Sequence, residues 1–180
     1  MQITSTLYLT NRKQWRSWLK KHYKSEKEIW LIYYKKHSNK PRLPYNDAVE
    51  EALCFGWIDS IVKRIDEDRI TQRFTPRRKG SPMSEMNKER VRMMIKQHKM
   101  TKEGLRHFPK DKPFKMPKDI EKALKQDKEV WKNFNAFPKR YQRVRVAYVD
   151  HMRPNSPLFK ASLNNLIKKT KRNKKYGMIR

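Results

Sequence analysis

The stretch EALCFGWIDSIVKRIDEDRITQRFTPRRKGSPMSEMN, residues 51–87, decides the fold. Its start closes a helix that Asn46 can cap. Ala48, Ala52 and Phe55 share one helical face, with Val49 and Leu53 beside it, and Gly56 supplies a C-cap. Two strands follow, Trp57–Ile65 and Arg69–Thr75, around an Asp66-Glu67-Asp68 turn. Asp59, Lys63, Gln72 and Arg73 interleave with Ile58, Ile61, Val62, Ile70 and Phe74, as in a half-buried antiparallel pair. Pro76 stops the second strand. Ser81 or Ser84 caps the next helix, which carries Val91, Met94 and Ile95 to about Gln97.

Towards the amino terminus, EIWLIYYK (Glu28–Lys35) is a dense β-branched and aromatic run and reads as a strand. Ser5–Leu9 alternates weakly as a short strand. Thr10 or Asn11 caps a helix to about His22 with Trp15, Trp18 and Leu19 inside. His37–Pro44 reads as a loop. Towards the carboxy terminus, Thr101 opens a short helical turn through Leu105, and the Pro- and Lys-rich Phe108–Pro117 reads as a linker. The rest is helical: Pro117 suits a first helical position, Asp127 caps a second helix, Pro138 to Met152 forms a third, and Ser156-Pro157 opens the last. The expectation is an α+β fold: a small antiparallel sheet covered by helices over residues 1–115, then a helical segment with a basic tail over 116–180.

Composition narrows the partners. The 180 residues carry 46 Lys+Arg against 18 Asp+Glu, a formal net charge of +28. The excess grows along the chain, and no acidic side chain follows Asp150. Such a field attracts polyanions, and Lys168, Lys169, Lys171, Arg172, Lys174 and Lys175 form the densest cationic cluster, a candidate nucleic-acid contact. The same cluster also reads as a solvated tail. With Cys54 as the single cysteine, no intramolecular disulfide can form. The first residues lack the apolar core of a signal peptide and no window reaches membrane-span length, so a cytoplasmic setting is expected.

Within 51–87 the polar residues form a candidate site. Trp57, Asp59 and Ile61 are expected on one strand face, Arg73 and Thr75 on a face of the partner strand. Arg77 and Arg78 follow in the turn, and Ser84 opens a helix whose first N–H groups are free. Guanidinium forks beside a helix N-terminus suit an anion. The same residues also read as an ordinary cationic turn with a Ser cap. Asp59 is a candidate general base or an orienting partner for Arg73, and equally half of a structural ion pair. Glu50 and Glu51 lie off the apolar stripe and are expected in solvent, with Glu51 a second general-base candidate. Cys54, in an apolar run, reads as an inert buried thiol. Tyr33, Tyr34, Trp57 and Phe74 suit either ring stacking or the core, the core being the usual place for strand aromatics. The five histidines lack metal-ligand spacing, only 4 Gly are present and no phosphate loop is seen, so neither metal nor cofactor is expected.

EALCFGWIDS, QRFTPRR and Ser84–Asn87 resemble words of the YdeI/OmpD-associated, or bacteriocin-protection, family. WLIYYKK, LPYNDAVEEAL and MTKEGL are similar to its amino-terminal half. PKRYQRVRVAYVDHMRPNSPLFKASLNNLIKK resembles its helical carboxy-terminal segment, so the likeness runs from about Trp15 to Lys175. It implies a protein of survival under antimicrobial-peptide or envelope stress, with no settled catalytic activity. Some members are described as periplasmic or as porin partners, a role this chain is not expected to share, since its first residues do not read as an export signal. Residue by residue, the family words fall on Glu51, Trp57, Asp59, Arg73, Thr75, Arg77, Arg78, Ser84 and Asn87. The leading expectation is a non-catalytic binder of an anionic ligand through Arg73, Arg77 and Arg78, with Asp59 orienting an arginine and Trp57 as a wall. The alternatives are a nucleic-acid binder using the basic end and a small hydrolase-like enzyme with Asp59 or Glu51 as base.

Overall fold

The computed structural model describes residues 2–109 and 114–177. Residues 110–113 of the expected linker lie outside that range. The chain divides into two compact units, Met1–Met83 with Arg90–Pro109, and Ser84–Glu89 with Lys110–Arg180.

The first unit is α+β. Strand β1 (Thr6–Tyr8) leads into α1 (Arg12–His22), whose N-cap Asn11 accepts the Gln14 N–H, and then into β2 (Ile29–Tyr34). A single 3-10 turn at Lys36–Ser38 interrupts the following loop. Helix α2 (Tyr45–Cys54) begins one residue before Asn46, with Pro44 in the cap position, so Asn46 is not the cap. The hairpin is β3 (Trp57–Arg64) and β4 (Arg69–Pro76), its turn closed by Asp66, whose Oδ1 accepts the N–H groups of Asp68 and Arg69. Helices α3 (Glu85–Lys96), shared between the units, and α4 (Lys102–Arg106) follow.

The strand order is β1-β2-β4-β3. The β2–β4 and β3–β4 pairs are antiparallel as expected, and β1 makes the sheet mixed by running parallel to β2. The reason lies in the connection, since α1 carries the chain back across the sheet between them and a crossover returns the next strand in the same direction. Ile29, Leu31 and Tyr33 face Phe74, Gln72 and Ile70 across the β2–β4 pair, and Asp59 faces Phe74 across β3–β4. A register irregularity between Asp59 and Val62 breaks the alternation. Ile61 and Val62 are consequently both exposed, and Ile61 does not extend the Trp57–Asp59 face as expected. The core gathers Trp15, Leu19, Ile29, Leu31, Val49, Leu53, Trp57 and Phe74. Trp15 stacks on Trp18 and meets Phe74 edge-on, at 5.3 and 5.4 Å between centroids.

The second unit holds α5 (Lys118–Lys125), α6 (Lys128–Ala136), α7 (Lys139–His151) and α8 (Ser156–Lys171). Asp127 caps α6 and Asn155 caps α8 with Pro157 in its first turn, as the residue types favour. Ile120, Leu124, Val130, Phe134, Val146, Val149 and Leu166 build its core. No helix among the described residues is long and apolar enough to cross a membrane.

Candidate functional site

Strand parity decides what the hairpin can assemble. Because Asp59 pairs with Phe74, the neighbouring Arg73 and Thr75 point to the opposite face of β4. Asp59 therefore does not orient Arg73. Arg73 instead grips Glu28, with Nε 2.7 Å from Oε2 and Nη2 on the same oxygen. Glu28 also accepts from the hydroxyl of Thr4 and from Trp30 Nε1 at 3.1 Å. These bonds, the Thr4 bond first and then that of Arg73, pull the Glu28 carboxyl below its usual range.

Arg77 is buried, and its Nη2 donates to Ser81 O, Ser81 Oγ and Pro82 O, each at 3.1 Å. Burial lowers its pKa. This guanidinium holds the turn together rather than waiting for an anion. Arg78 is exposed, and Thr75 is half-buried opposite Ile58. Ser84 Oγ accepts the Asn87 N–H at 3.3 Å as the opening of α3, and both residues fall in the second unit. Trp57 is 1% exposed, donates to Tyr23 O at 3.1 Å and meets Trp18 edge-on: it is core, not a cavity wall.

Glu50 and Glu51, expected in solvent, are buried. Cations of α1 reach across to α2 and neutralise them. Arg12 Nη1 lies 2.8 Å from Glu50 Oε2 while its Nε bonds Glu51, and Arg16 Nη1 lies 2.6 Å from Glu51 Oε2. Arg16 also donates to Lys99 O at 2.8 Å. Both Glu51 oxygens are taken up by guanidinium donors, which leaves neither open to a substrate proton. Next to this carboxylate, burial pushes the Cys54 thiol up to about 11, with the Glu51 charge adding to the effect, so a nucleophilic thiolate is suppressed.

The groups that do converge lie at the polar end of the inner sheet face. Gln72 and Ile70 alternate with Phe74 on β4, Tyr33 stands opposite Ile70, and Tyr45 comes from the first turn of α2. Asp59 Oδ2 accepts from Tyr45 Oη at 2.9 Å and from Gln72 Nε2 at 2.8 Å. Beside them opens a cavity of about 410 Å³ lined by Tyr33, Arg42, Pro44, Tyr45, Ile70 and Gln72. Tyr33 is 5% exposed, and its hydroxyl is fully buried with no hydrogen-bond partner. Burial, reinforced by the charge of Asp59, raises the Tyr33 pKa strongly and pushes Tyr45 up to about 12. Both phenols are thus proton donors across the physiological range. Arg42 is exposed, its Nη1 donating to Tyr34 O at 3.2 Å.

Sequence reading placed Asp59 in a site but missed Arg42, Tyr45 and Gln72, and took strand aromatics such as Tyr33 mainly as core. The usable signal was Gln72: a polar residue between Ile70 and Phe74 at period two belongs on the inner face. In the second unit Lys168, Arg172, Lys174 and Lys175 are exposed, Lys169 is half-buried, and Lys171 is paired with Asp127 at 2.8 Å. Among the described residues no group of three or more His, Cys, Asp or Glu comes together to hold a metal ion.

Residues 7–107 match a family model described as Domain of unknown function (DUF8412). Residues 113–155 match the model described as Bacteriocin-protection, YdeI or OmpD-Associated. The second match takes in the start of the carboxy-terminal words at 138–169, whereas the words between Trp30 and Leu105 fall inside the first. No curated protein and no solved structure matches the chain.

Proposed function

This chain belongs to the family described as Domain of unknown function (DUF8412), and we propose that its α+β unit is a non-catalytic binding module for a small ligand with an anionic head. The observation that carries the reading is the buried, unpartnered hydroxyl of Tyr33, a residue that lines the 410 Å³ cavity. An orphaned buried hydroxyl costs about 1–3 kcal/mol. Buried polar groups are nearly always partnered, so its exception at a cavity calls for an acceptor from outside the chain. The cavity falls within the size range of small-molecule sites. The polar groups beside it are already bonded to one another, which favours holding a ligand over transforming it. A fragment screen by ligand-observed NMR tests this. Hits on the native chain should vanish on Ile70→Trp, which fills the cavity; hits that survive that change, or none at all, would sink the reading. We extend the role to stress protection, which rests on the description of the second matched model, and we place it in the cytoplasm as part of the same proposal. Peptide-challenge survival of a deletion strain, with cell fractionation, checks that extension.

A second reading is favoured by the solvent side of α8. There Lys160, Asn164 and Lys168 follow one another at four-residue spacing, and the exposed Arg172, Lys174 and Lys175 continue the positive charge. This surface suits the phosphates of a nucleic acid. Neutralising Lys168, Arg172, Lys174 and Lys175 with glutamine should weaken binding to single- and double-stranded probes alike. It should also flatten the plot of log K against log salt by about 0.7–0.9 for each phosphate no longer neutralised. An unchanged slope would remove this reading.

A further inference from the structure

We infer that the cavity takes a small monocarboxylate with a flat, apolar body, its carboxylate shared between the Arg42 guanidinium and the Tyr33 hydroxyl. This rests on the pocket reading above and names its ligand class.

Three observations select that chemistry. First, Tyr33 lines the cavity and its hydroxyl is buried without an acceptor; it remains protonated, so a small opening of the wall lets it donate a hydrogen bond to an oxygen of the ligand. Second, Arg42 is the one charged residue lining the cavity among the described residues. Its bond to the Tyr34 carbonyl positions the guanidinium without neutralising it, and its charge reaches Tyr33. A guanidinium fork beside a phenol matches the two oxygens of a carboxylate. Third, Asp59 limits how much negative charge can enter. Its Oδ2 is covered by the donors of Tyr45 and Gln72, yet its charge is felt at both Tyr33 and Tyr45. A dianionic phosphate would meet that charge at close quarters, whereas a single carboxylate is balanced by Arg42. A cationic head would face Arg42 instead. The remaining wall, Ile70, Pro44 and the rings of Tyr33 and Tyr45, suits an apolar or aromatic body.

Four probes that share one ring test this on the full chain: benzoate, benzamide, phenyl phosphate and benzylamine. Titration followed by NMR is expected to rank benzoate first, by about tenfold over the others. Tyr33→Phe should weaken benzoate about fivefold, the worth of one hydrogen bond, and leave benzylamine unmoved. It should also keep or raise the thermal midpoint, because it removes an unsatisfied hydroxyl. Arg42→Gln, at an exposed position that does not threaten folding, should cost benzoate at least as much. Benzamide, phenyl phosphate or benzylamine binding as well as benzoate would overturn the carboxylate class while leaving the pocket standing, provided Ile70→Trp still abolishes that binding. Benzoate affinity unaffected by Tyr33→Phe and Arg42→Gln would assign it to surface lysines and overturn the inference. No binding by any probe would overturn it as well, and together with an empty fragment screen would remove the pocket reading too.

Discussion

Glu51→Ala is expected to destabilise the α+β unit by about 3 kcal/mol, seen as a lower denaturation midpoint with little change in slope. Glu51 is 1% exposed and takes hydrogen bonds from Arg12 and Arg16, which tie α1 to α2. Truncation leaves two cations at a buried surface without their shared anion and opens space beside Cys54. Breaking a buried pair costs about 3–5 kcal/mol, and the lower end applies because the arginine side chains are 25% and 37% exposed and can turn to water. Arg12 also keeps Glu50. Glu51→Gln preserves the volume and one acceptor, so it should cost roughly half as much. Equal losses for the two variants would mean that packing outweighs charge at this position. An alanine variant within about 0.5 kcal/mol of the native chain would show that the network contributes nothing beyond an ordinary surface position.

That network also marks where the sequence stopped being legible. Helical periodicity placed Glu50 and Glu51 beside the apolar stripe of α2, and period alone assigns such positions to solvent. What reverses this is a second helix carrying Arg12 and Arg16 at i and i+4, and nothing local to α2 reports which helix will pack on it. The strands, the hairpin and the helical carboxy-terminal unit were readable because period-two and period-3.6 patterns are local. The parallel β1–β2 pair was readable in principle from the intervening helix. The candidate site failed at a finer scale. Treating Arg73 as a partner of Asp59 required knowing the β3–β4 register, and a one-residue shift in register exchanges the two faces of a strand. With Phe74 opposite Asp59, the arginine falls to Glu28 and the polar cluster is completed by Gln72 and Tyr45 instead. Arg77 illustrates a different limit. Its residue type suggested an anion, but a turn with three unfilled oxygens captured it first.

Gly104→Ala is expected to cost about 3 kcal/mol or more, although alanine within a helix normally gains up to about 1 kcal/mol over glycine. Gly104 lies in α4, where its backbone conformation is open to any residue, so the usual reason for glycine does not apply. The space does. A Cβ built there would stand 2.3 Å from Cys54 O and 2.7 Å from both Cys54 C and Leu53 O. Those atoms are backbone at the end of α2 and cannot swing aside as a side chain would. Helix α4 is pinned to this end by Thr101, whose N–H and Oγ1 both donate to Cys54 O, at 3.1 and 2.6 Å. The same Oγ1 accepts the Gly104 N–H at 3.1 Å to cap α4. Inserting a methyl group forces α4 outward, which breaks the Thr101 bonds and loosens His107 from Gly56, where it lies too close to admit a side chain. Gly80→Ala is the natural control: nothing lies within 4 Å of its built Cβ, and only its φ of +75° opposes the change. That conformational penalty is about 1–2 kcal/mol, so the ordering Gly104 worse than Gly80 separates steric exclusion from backbone preference. Denaturant titration of the two variants decides it. A Gly104→Ala protein as stable as the native chain would mean that α4 does not rest on the end of α2, and that the short MTKEGL turn owes its glycine to something other than close approach.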